Sequence, residues 1–189
     1  IIRYAADRKF MVVLGTNGTM INRINAEKIK SAGAHGVGIS IDTMNQDKHN
    51  KFRGVDKAWE LSMDAFDILN EVGVDFLVQM SVSDMNYKEI PEVVEFTEKI
   101  GAIAFNLYFL VCTGRGQGNT DISNAAYEEA LKMLYEQQMK YKGKLMINSK
   151  CAPQYKRVVY ENDPDSVYTR TYSGGCPAAT HYSRISPEG

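Results

Sequence analysis

Three junctions of one kind constrain the fold more than any other feature of this 189-residue sequence. At Gly33, Gly73 and Gly101 a segment with helical periodicity ends in glycine, and an apolar run follows at once: SAG-AHGVGISID, EVG-VDFLVQMSV and KIG-AIAFNLYFLV. Glycine just past a helix can take the left-handed conformation that closes the last turn. The apolar runs are nearly continuous, which is typical of strands covered on both faces. The pattern therefore predicts helices that alternate with buried strands.

Two further segments extend this alternation to about five strands. MVVLGTNG (11–18) precedes the first junction, and KLMINSK (144–150) follows the last helical pattern. Alternation of this kind predicts right-handed crossovers and a parallel sheet of the α/β class, although it does not decide between a barrel and an open sheet. From about residue 150 the rhythm stops, and the segment rich in Tyr, Pro, Ser and Gly predicts an irregular extension that a ligand or cross-link must order. We therefore expect one domain over 1–149 and an extension over 150–189.

Composition and charge exclude several classes of partner. The net charge is −1, so no global field would attract nucleic acid or an anionic membrane. No apolar run approaches the roughly 20 residues that span a bilayer, and the first residues lack the layout of a secretion signal. We expect a cytoplasmic protein. Because the sequence begins within a helical pattern and stops at SPEG, we also expect it to be part of a longer protein.

Polar side chains follow the predicted strands at the edge where parallel α/β proteins bind ligands. One interpretation is that these are ordinary turn formers and helix caps. Their succession at four strand ends instead favours a polar small molecule lying across the sheet edge. The residues are Thr16, Asn17 and Gly18, then Ser40 and Asp42, then Gln79, Ser81, Ser83 and Asn86, then Cys112 and Thr113.

The residue types at this edge suggest the chemistry of the ligand. Arg53, in the segment 43–54 that we interpret as a loop, is suited to a carboxylate, and Asp42 is suited to an amine. The apolar residues 109–111 suit the flanks of an adenine. Neither GTNGT nor TGRGQG matches a glycine-rich phosphate motif, which argues against nucleotide phosphates. A ligand with a sugar, an aromatic base and an amino acid end satisfies all of these features.

These segments resemble a radical S-adenosylmethionine enzyme. The matching pieces are TNGT (16–19), SIDTMNQDKHNKFRG (40–54), SVSDMN (81–86) and YFLVCTGRG (108–116), which together cover most of the chain. Further on, KCAPQYKR and YSGGCPAATHYSRISPEG resemble the cysteine-containing extension of the haem-pathway branch, which includes the decarboxylases of the sirohaem-derived route and the haem d1 maturase. The resemblance implies an incomplete parallel (β/α)6 partial TIM barrel with four to five strands present, followed by that extension.

The resemblance also implies how the cofactor, S-adenosylmethionine, is bound. Ser40 and Arg53 would hold its carboxylate from the strand end and the segment after it, and Asp42 would order that segment. Three other residues would lie near its ribose or amino group. The full set of expected cofactor-binding residues is Thr16, Asn17, Ser40, Asp42, Arg53 and Gln79.

Two iron–sulfur clusters follow from the same resemblance. In the family a CxxxCxxC loop holds the 4Fe-4S cluster that contacts the cofactor, and a GGE motif lies on the next strand; neither motif occurs in this sequence. The ligands of that cluster are therefore expected outside this chain, together with two upstream strands, and the chain as given is expected to be inactive. Cys151 and Cys176 would be metal ligands of an auxiliary 4Fe-4S cluster. Ser183 stands where the pattern has a further cysteine, whereas such clusters are usually held by four thiolates.

Three functions remain open. The first is a fragment of an enzyme that, with a low-potential electron donor, abstracts hydrogen from a propionate of an iron tetrapyrrole, which then loses carbon dioxide. The second is a peptide-modifying radical enzyme, and the third is a non-catalytic module that binds S-adenosylmethionine. Aromatic and cationic residues of the extension could contact an anionic macrocycle, or could simply be surface and turn residues: Tyr155, Tyr168, Tyr172, Tyr182, Arg157, Arg170 and Arg184.

Isolated cysteines and histidines suggest less. Cys112, Cys151 and Cys176 are spaced too widely for a disulfide framework, and from the count alone buried thiols are the simplest interpretation. His35 lies at a strand start and is expected to be structural. We assign no proton-transfer role to His49, which lies nearer the predicted site.

Overall fold

The computed structural model describes residues 1–109 and 122–171. Within them, five parallel strands form one sheet in sequential order, and each strand pairs with the next one along the chain. The prediction of an α/β fold with about five parallel strands is confirmed. The strands are β1 (Val13–Thr16), β2 (Gly36–Ser40), β3 (Phe76–Val82), β4 (Ala104–Phe109) and β5 (Met146–Lys150).

Helices connect the strands, as the glycine junctions predict. At the three junctions Gly33, Gly73 and Gly101 have φ angles of +86°, +71° and +78°, the conformation that closes a helix before the strand begins. The helices are α1 (Ile2–Asp7), α2 (Arg23–Ser31), α3 (Gln46–Arg53), α4 (Ala58–Val72), α5 (Ile90–Lys99), α6 (Asn124–Lys140), α7 (Tyr155–Asn162) and α8 (Val167–Thr171), with a 3₁₀ turn at Tyr87–Glu89.

The two faces of the sheet differ, which the near-continuous apolar runs do not predict. Along β3, buried residues alternate with half-buried ones, so the expectation that both faces are equally covered is wrong for this strand. One face packs under the helices: Ile39, Val78, Phe105 and Ile147 are in register there and are almost fully buried. On the other face the row in register is polar, and we call this the inner face: Ser40, Gln79, Asn106 and Asn148.

The segment 43–54 is a helix for most of its length, so its interpretation as a loop is wrong. Helix α3 begins after Asn45, whose side chain accepts a hydrogen bond from the Lys48 N–H. It ends at Gly54, which has a φ of +64°. An asparagine cap, Asp47 in the first turn and a terminal glycine are local signals for a short helix. The consequence is that Arg53 occupies a fixed helical position.

Regular structure also continues past residue 150, so the expectation that it stops there is wrong for residues 155–171. Helix α7 packs against α6, and Tyr155, Val158 and Val159 belong to the same hydrophobic core as the strands. Tyr155 is fully buried and donates a hydrogen bond to the Gln138 Oε1 at 3.0 Å, which excludes it from contact with a macrocycle on the surface. The division of the chain at residues 149 and 150 stays a prediction.

The length and polarity of the helices decide whether any of them could cross a membrane. The longest helix, α6, has 17 residues and carries several charged side chains. Among residues 1–109 and 122–171, no helix is both long and apolar enough to cross a bilayer.

Candidate functional site

The carboxyl ends of β1, β2 and β3 form one continuous edge, and the predicted site residues lie along it. Ser40 is in register with Gln79, which places both on the inner face. The Gln79 side chain extends over Gly38: a Cβ at Gly38 would lie 2.9 Å from the Gln79 Nε2. The absence of a side chain at Gly38 therefore lets the Gln79 amide extend across the inner face at Gly38.

In the turn after β1, the side chains of the two predicted ligand residues, Thr16 and Asn17, accept hydrogen bonds from within the turn. The Thr16 Oγ1 accepts from the Gly18 N–H at 3.2 Å, and the Asn17 Oδ1 accepts from the N–H and the hydroxyl of Thr19. Helix α4 holds this turn, because the Ser62 hydroxyl donates to the Asn17 carbonyl at 3.0 Å. The Asn17 Nδ2 makes no hydrogen bond within the described residues.

Asp42 and Arg53 form a buried ion pair beyond the end of β2. Asp42 is 0% exposed, and its Oδ2 lies 2.5 Å from the Arg53 Nη2, while its Oδ1 accepts from the Ser81 N–H at 3.0 Å. Burial raises the pKa of Asp42, and the Arg53 guanidinium and the Ser81 amide oppose that rise. Only part of the Arg53 guanidinium is used, because its buried Nε has no hydrogen-bond partner among the described residues.

His49 completes this buried group but stays neutral. It is 1% exposed, and its Nδ1 lies 3.4 Å from the Asp42 N, which donates to it. Burial, reinforced by the charge of Arg53, lowers the pKa of His49 to about 4. The Trp59 ring contacts it edge-on, with centroids 5.7 Å apart. His49 is therefore a neutral acceptor near pH 7 that supports the turn after β2.

Asn86 does not face a ligand, contrary to its expected place among the polar strand-end residues. It is 1% exposed, and its Nδ2 donates to the carbonyls of Asp42 at 2.8 Å and Ser81 at 2.9 Å. Its Oδ1 accepts from the Ser83 N–H at 2.8 Å. The side chain therefore ties the end of β2 to the end of β3.

Glu89 is a residue that the sequence reasoning missed. Its Oε2 accepts from the Thr43 hydroxyl at 2.5 Å and from the Met44 N–H at 3.1 Å, and its Oε1 lies 3.9 Å from the Lys48 Nζ. Glu89 thus holds the turn that leads from β2 into α3. Because the partners lie more than 40 residues apart, no local pattern signals this contact.

The apolar residues expected to flank an adenine are only partly described. Phe109 is 3% exposed and packs on the Tyr127 ring with centroids 4.3 Å apart, because its register with Val82 turns it towards the core. The Phe109 side chain is therefore turned away from the inner face, and the expectation that residues 109–111 flank an adenine stays a prediction. Residues 110–121, which include Cys112 and the TGRGQG segment, lie outside the described residues.

The two proposed metal ligands are not seen together. Cys151 is exposed and unpaired directly after β5, with a φ of +58°. Cys176 and Ser183 lie outside the described residues. Within the part of the chain that is described, no three His, Cys, Asp or Glu side chains are grouped as a metal site would require. The described residues include only one of the two expected cluster ligands, so both cysteine roles stay predictions.

The same edge does fit parts of S-adenosylmethionine. A Cβ at Gly15 would meet nothing within 4 Å, so the space beside Gly38 is open on the side of β1. The Ser40 hydroxyl and the Gln79 amide lie on this inner face, the Asn17 amide lies in the turn after β1, and the Nε of Arg53 is an unused donor in the helix after β2. Hydroxyl and amide donors suit a ribose, and a guanidinium donor suits a carboxylate.

A parallel α/β sheet with a polar edge of this kind defines a class of cofactor-binding enzymes, and the sequence specifies which family. Residues 1–97 match the Radical SAM superfamily, and the chain belongs to it. The predicted partial TIM barrel is consistent with solved members. The chain is similar to the structure of SuiB from Streptococcus suis bound to S-adenosylmethionine, with a TM-score of 0.62 and 16% identity, covering 79% of this chain and 35% of that one.

Relatives with higher identity include AdoMet-dependent heme synthases. The AdoMet-dependent heme synthase of Methanosarcina barkeri is 34% identical over 197 residues, covering 100% of this chain and 56% of that protein. The AdoMet-dependent heme synthase of Nitratidesulfovibrio vulgaris is 32% identical over 199 residues, covering 100% of this chain and 54% of that protein. The chain thus spans about half the length of these relatives.

Proposed function

We propose that the complete protein is a radical S-adenosylmethionine enzyme that acts on a propionate side chain of an iron tetrapyrrole. The observation that carries this proposal is the similarity over the whole chain to AdoMet-dependent heme synthases, at 34% identity. The polar edge at β1 to β3 supports it, because its donors suit the sugar and the amino acid end of the cofactor. Hydrogen abstraction from the propionate would give deoxyadenosine and a carbon radical on the side chain. That radical would lose carbon dioxide and pass one electron to an acceptor of the complete protein, such as an oxidised iron–sulfur cluster, which would leave a vinyl group.

The residues of this chain bind and orient the cofactor. Ser40 and Arg53 hold its carboxylate, and Asp42 keeps the guanidinium in place through the buried ion pair. Gln79 and Asn17 donate to the ribose or accept from the amino group, and the turn at Thr16 sets the position of Asn17. When bound, the cofactor supplies a deoxyadenosyl radical on one-electron reductive cleavage. A low-potential donor supplies that electron.

The iron–sulfur cluster needed for cleavage has no CxxxCxxC ligand set in these 189 residues. We therefore expect the 189-residue chain by itself to bind S-adenosylmethionine without forming deoxyadenosine. The complete protein, reconstituted anaerobically with iron and sulfide, is expected to form it. Deoxyadenosine formation by the isolated chain would contradict this division of roles.

Substitutions at the inner face test the cofactor site. Ser40→Ala and Gln79→Ala each remove one donor and are expected to weaken S-adenosylmethionine binding about tenfold, measured by calorimetry on the complete protein. Ser31→Ala is the matched control, because Ser31 lies at the end of α2 and its hydroxyl bonds only within that helix. Unchanged affinity in both site variants would exclude this edge as the cofactor site.

The substrate class is tested with the same protein. Carbon dioxide release and conversion of a propionate to a vinyl group are expected when an iron tetrapyrrole is supplied with a strong reductant. Deoxyadenosine formation stimulated by a peptide and not by a tetrapyrrole would instead establish a peptide-modifying enzyme. Binding of S-adenosylmethionine without cleavage by the complete protein would leave only a binding module.

A further inference from the structure

A second row of polar residues lies on the inner face, one layer nearer the carboxyl ends of the strands. Ser81, Tyr108 and Lys150 are in register across β3, β4 and β5. Two contacts show that these strands turn the same side inwards: the Gln79 Nε2 lies 3.5 Å from the Tyr108 hydroxyl, and the Asn148 Nδ2 donates to the Asn106 Oδ1 at 3.0 Å. Lys150 is two residues beyond Asn148 and therefore lies on that same inner face.

The charge of Lys150 is not matched by the acidic residues at this edge. Asp42 is paired with Arg53, and Glu89 accepts from the turn before α3. Asp84 accepts from the Ser123 N–H at 3.1 Å. Within residues 1–109 and 122–171, Lys150 has no ion pair and no side-chain hydrogen bond, although it is only half-exposed. A half-buried cation without a counter-ion favours an anionic ligand on this face.

The position of Lys150 separates it from the proposed carboxylate site of the cofactor. Ser40 lies on β2, and Lys150 lies on β5, three strands away. Neighbouring strands are about 4.8 Å apart, so the two residues are on the order of 14 Å apart along the sheet. A single carboxylate cannot contact both ends of this span. An anion bound by Lys150 would therefore belong to a second molecule.

We propose that Lys150 binds a carboxylate of the substrate on the β5 side of the inner face, opposite the cofactor edge at β2. This inference rests on the proposed function, since a tetrapyrrole with propionate side chains carries the anions that Lys150 requires. The Lys150 ammonium donates to one propionate and orients the macrocycle. The Tyr108 ring lies beside it in the same row.

The experiment measures binding of haemin, and separately of its dimethyl ester, to the complete reconstituted protein by titration of the Soret absorbance in one buffer. The variants are Lys150→Met and Lys150→Arg, with Lys144→Met as the control, because Lys144 is an exposed residue before β5. S-adenosylmethionine affinity is measured on every variant. Lys150→Met is expected to weaken haemin binding about tenfold or more and to leave S-adenosylmethionine binding unchanged. Lys150→Arg and Lys144→Met should keep haemin affinity, and the dimethyl ester should bind the parent and Lys150→Met equally.

Several outcomes would overturn the proposal. Unchanged haemin affinity in a Lys150→Met protein that still binds S-adenosylmethionine would mean that Lys150 only protects an outer strand, and the proposed function would still stand. An equal loss for haemin and its dimethyl ester would mean that Lys150 acts on the iron or the ring. Loss of S-adenosylmethionine affinity alone would assign Lys150 to the cofactor. A parent protein that binds neither ligand would refute the proposed function itself, and this inference with it.

Discussion

Arg53, the last residue of α3, reaches back to Asp42 beyond the end of β2, and the two side chains meet at 2.5 Å with Asp42 completely buried. The pair ties the segment after β2 to the end of α3, eleven residues further along the sequence. It also sets where the unused part of the guanidinium lies at the cofactor edge. If the proposed cofactor site is correct, this contact couples stability to cofactor binding.

Removing one partner of the pair tests its structural importance. Asp42→Ala is expected to lower the free energy of unfolding by about 3 kcal/mol or more, because it leaves Arg53 without a counter-ion and the Ser81 N–H without an acceptor. Urea denaturation gives the measurement, with Asp67→Ala, on the exposed face of α4, as the control. The double variant Asp42→Leu, Arg53→Met should recover part of the loss, since replacing both charges removes the unpaired one. A double variant no more stable than the single one would contradict this account.

Because the pKa of His49 is lowered in the folded protein, the free energy of unfolding is expected to depend on pH. Its folded-state pKa of about 4 lies below the ordinary value of 6.5, so the unfolded chain takes up the proton first as the pH falls. The stability associated with His49 is thus complete above pH 6.5 and is lost as the pH falls towards 4, by about 3 kcal/mol in all. Burial of Asp42 acts in the opposite sense, because its raised pKa lowers stability as the pH rises above 3.8.

A comparison of variants isolates the histidine. His49→Asn keeps an acceptor for the Asp42 N–H but cannot be protonated, so its unfolding free energy should fall less than that of the parent between pH 7 and pH 4.5. His35→Asn is the matched control, because the exposed His35 accepts only from the Val12 N–H at 3.1 Å. Parallel curves for the parent and His49→Asn would show that His49 does not titrate in this way.

The fold was more predictable than the connections at its edge. Glycine after a helix and an apolar run are local signals, so the junctions at Gly33, Gly73 and Gly101 correctly predicted the alternation of helices and strands. Helix α3 also had local signals in Asn45 and Gly54, but its few apolar residues hid them. The contacts of Glu89 and Asn86 join segments far apart in sequence, and only the packed sheet brings them together. Sequence reasoning therefore singled out Ser40, Asp42 and Arg53, whose cofactor-binding roles stay predictions, but not the residues that hold them in place.

Gly18 is expected to be intolerant of any side chain. Its φ is +82°, and an added Cβ would lie 3.1 Å from the Ile39 Cγ2 and 3.3 Å from the Ser62 Oγ. Gly18→Ala should cost about 2 kcal/mol or more, because strain from the left-handed backbone adds to a steric clash, and it should displace Asn17 and weaken S-adenosylmethionine binding. Gly54→Ala is the control: its φ is +64°, but nothing lies within 4 Å of the new Cβ. It should cost about 1 kcal/mol. If Gly18→Ala and Gly54→Ala lowered the free energy of unfolding equally, in thermal or urea denaturation, the contact of the added Cβ with Ser62 of α4 would not contribute to the loss.

Asn86 should affect cofactor binding although it contacts no ligand in our account. Asn86→Ala removes two donors and leaves the carbonyls of Asp42 and Ser81 without them, which should lower the free energy of unfolding by about 2 kcal/mol. Asn86→Asp keeps the acceptor for the Ser83 N–H but loses the same donors, so it isolates the link between β2 and β3. If Asn86 positions the end of β2, both variants should weaken S-adenosylmethionine binding in folded protein. Thr97→Ala removes a buried hydrogen bond within α5 and should leave that binding unchanged. Calorimetric titration at a temperature where all variants are folded makes the comparison, and unchanged affinity in Asn86→Asp would limit Asn86 to a role in stability.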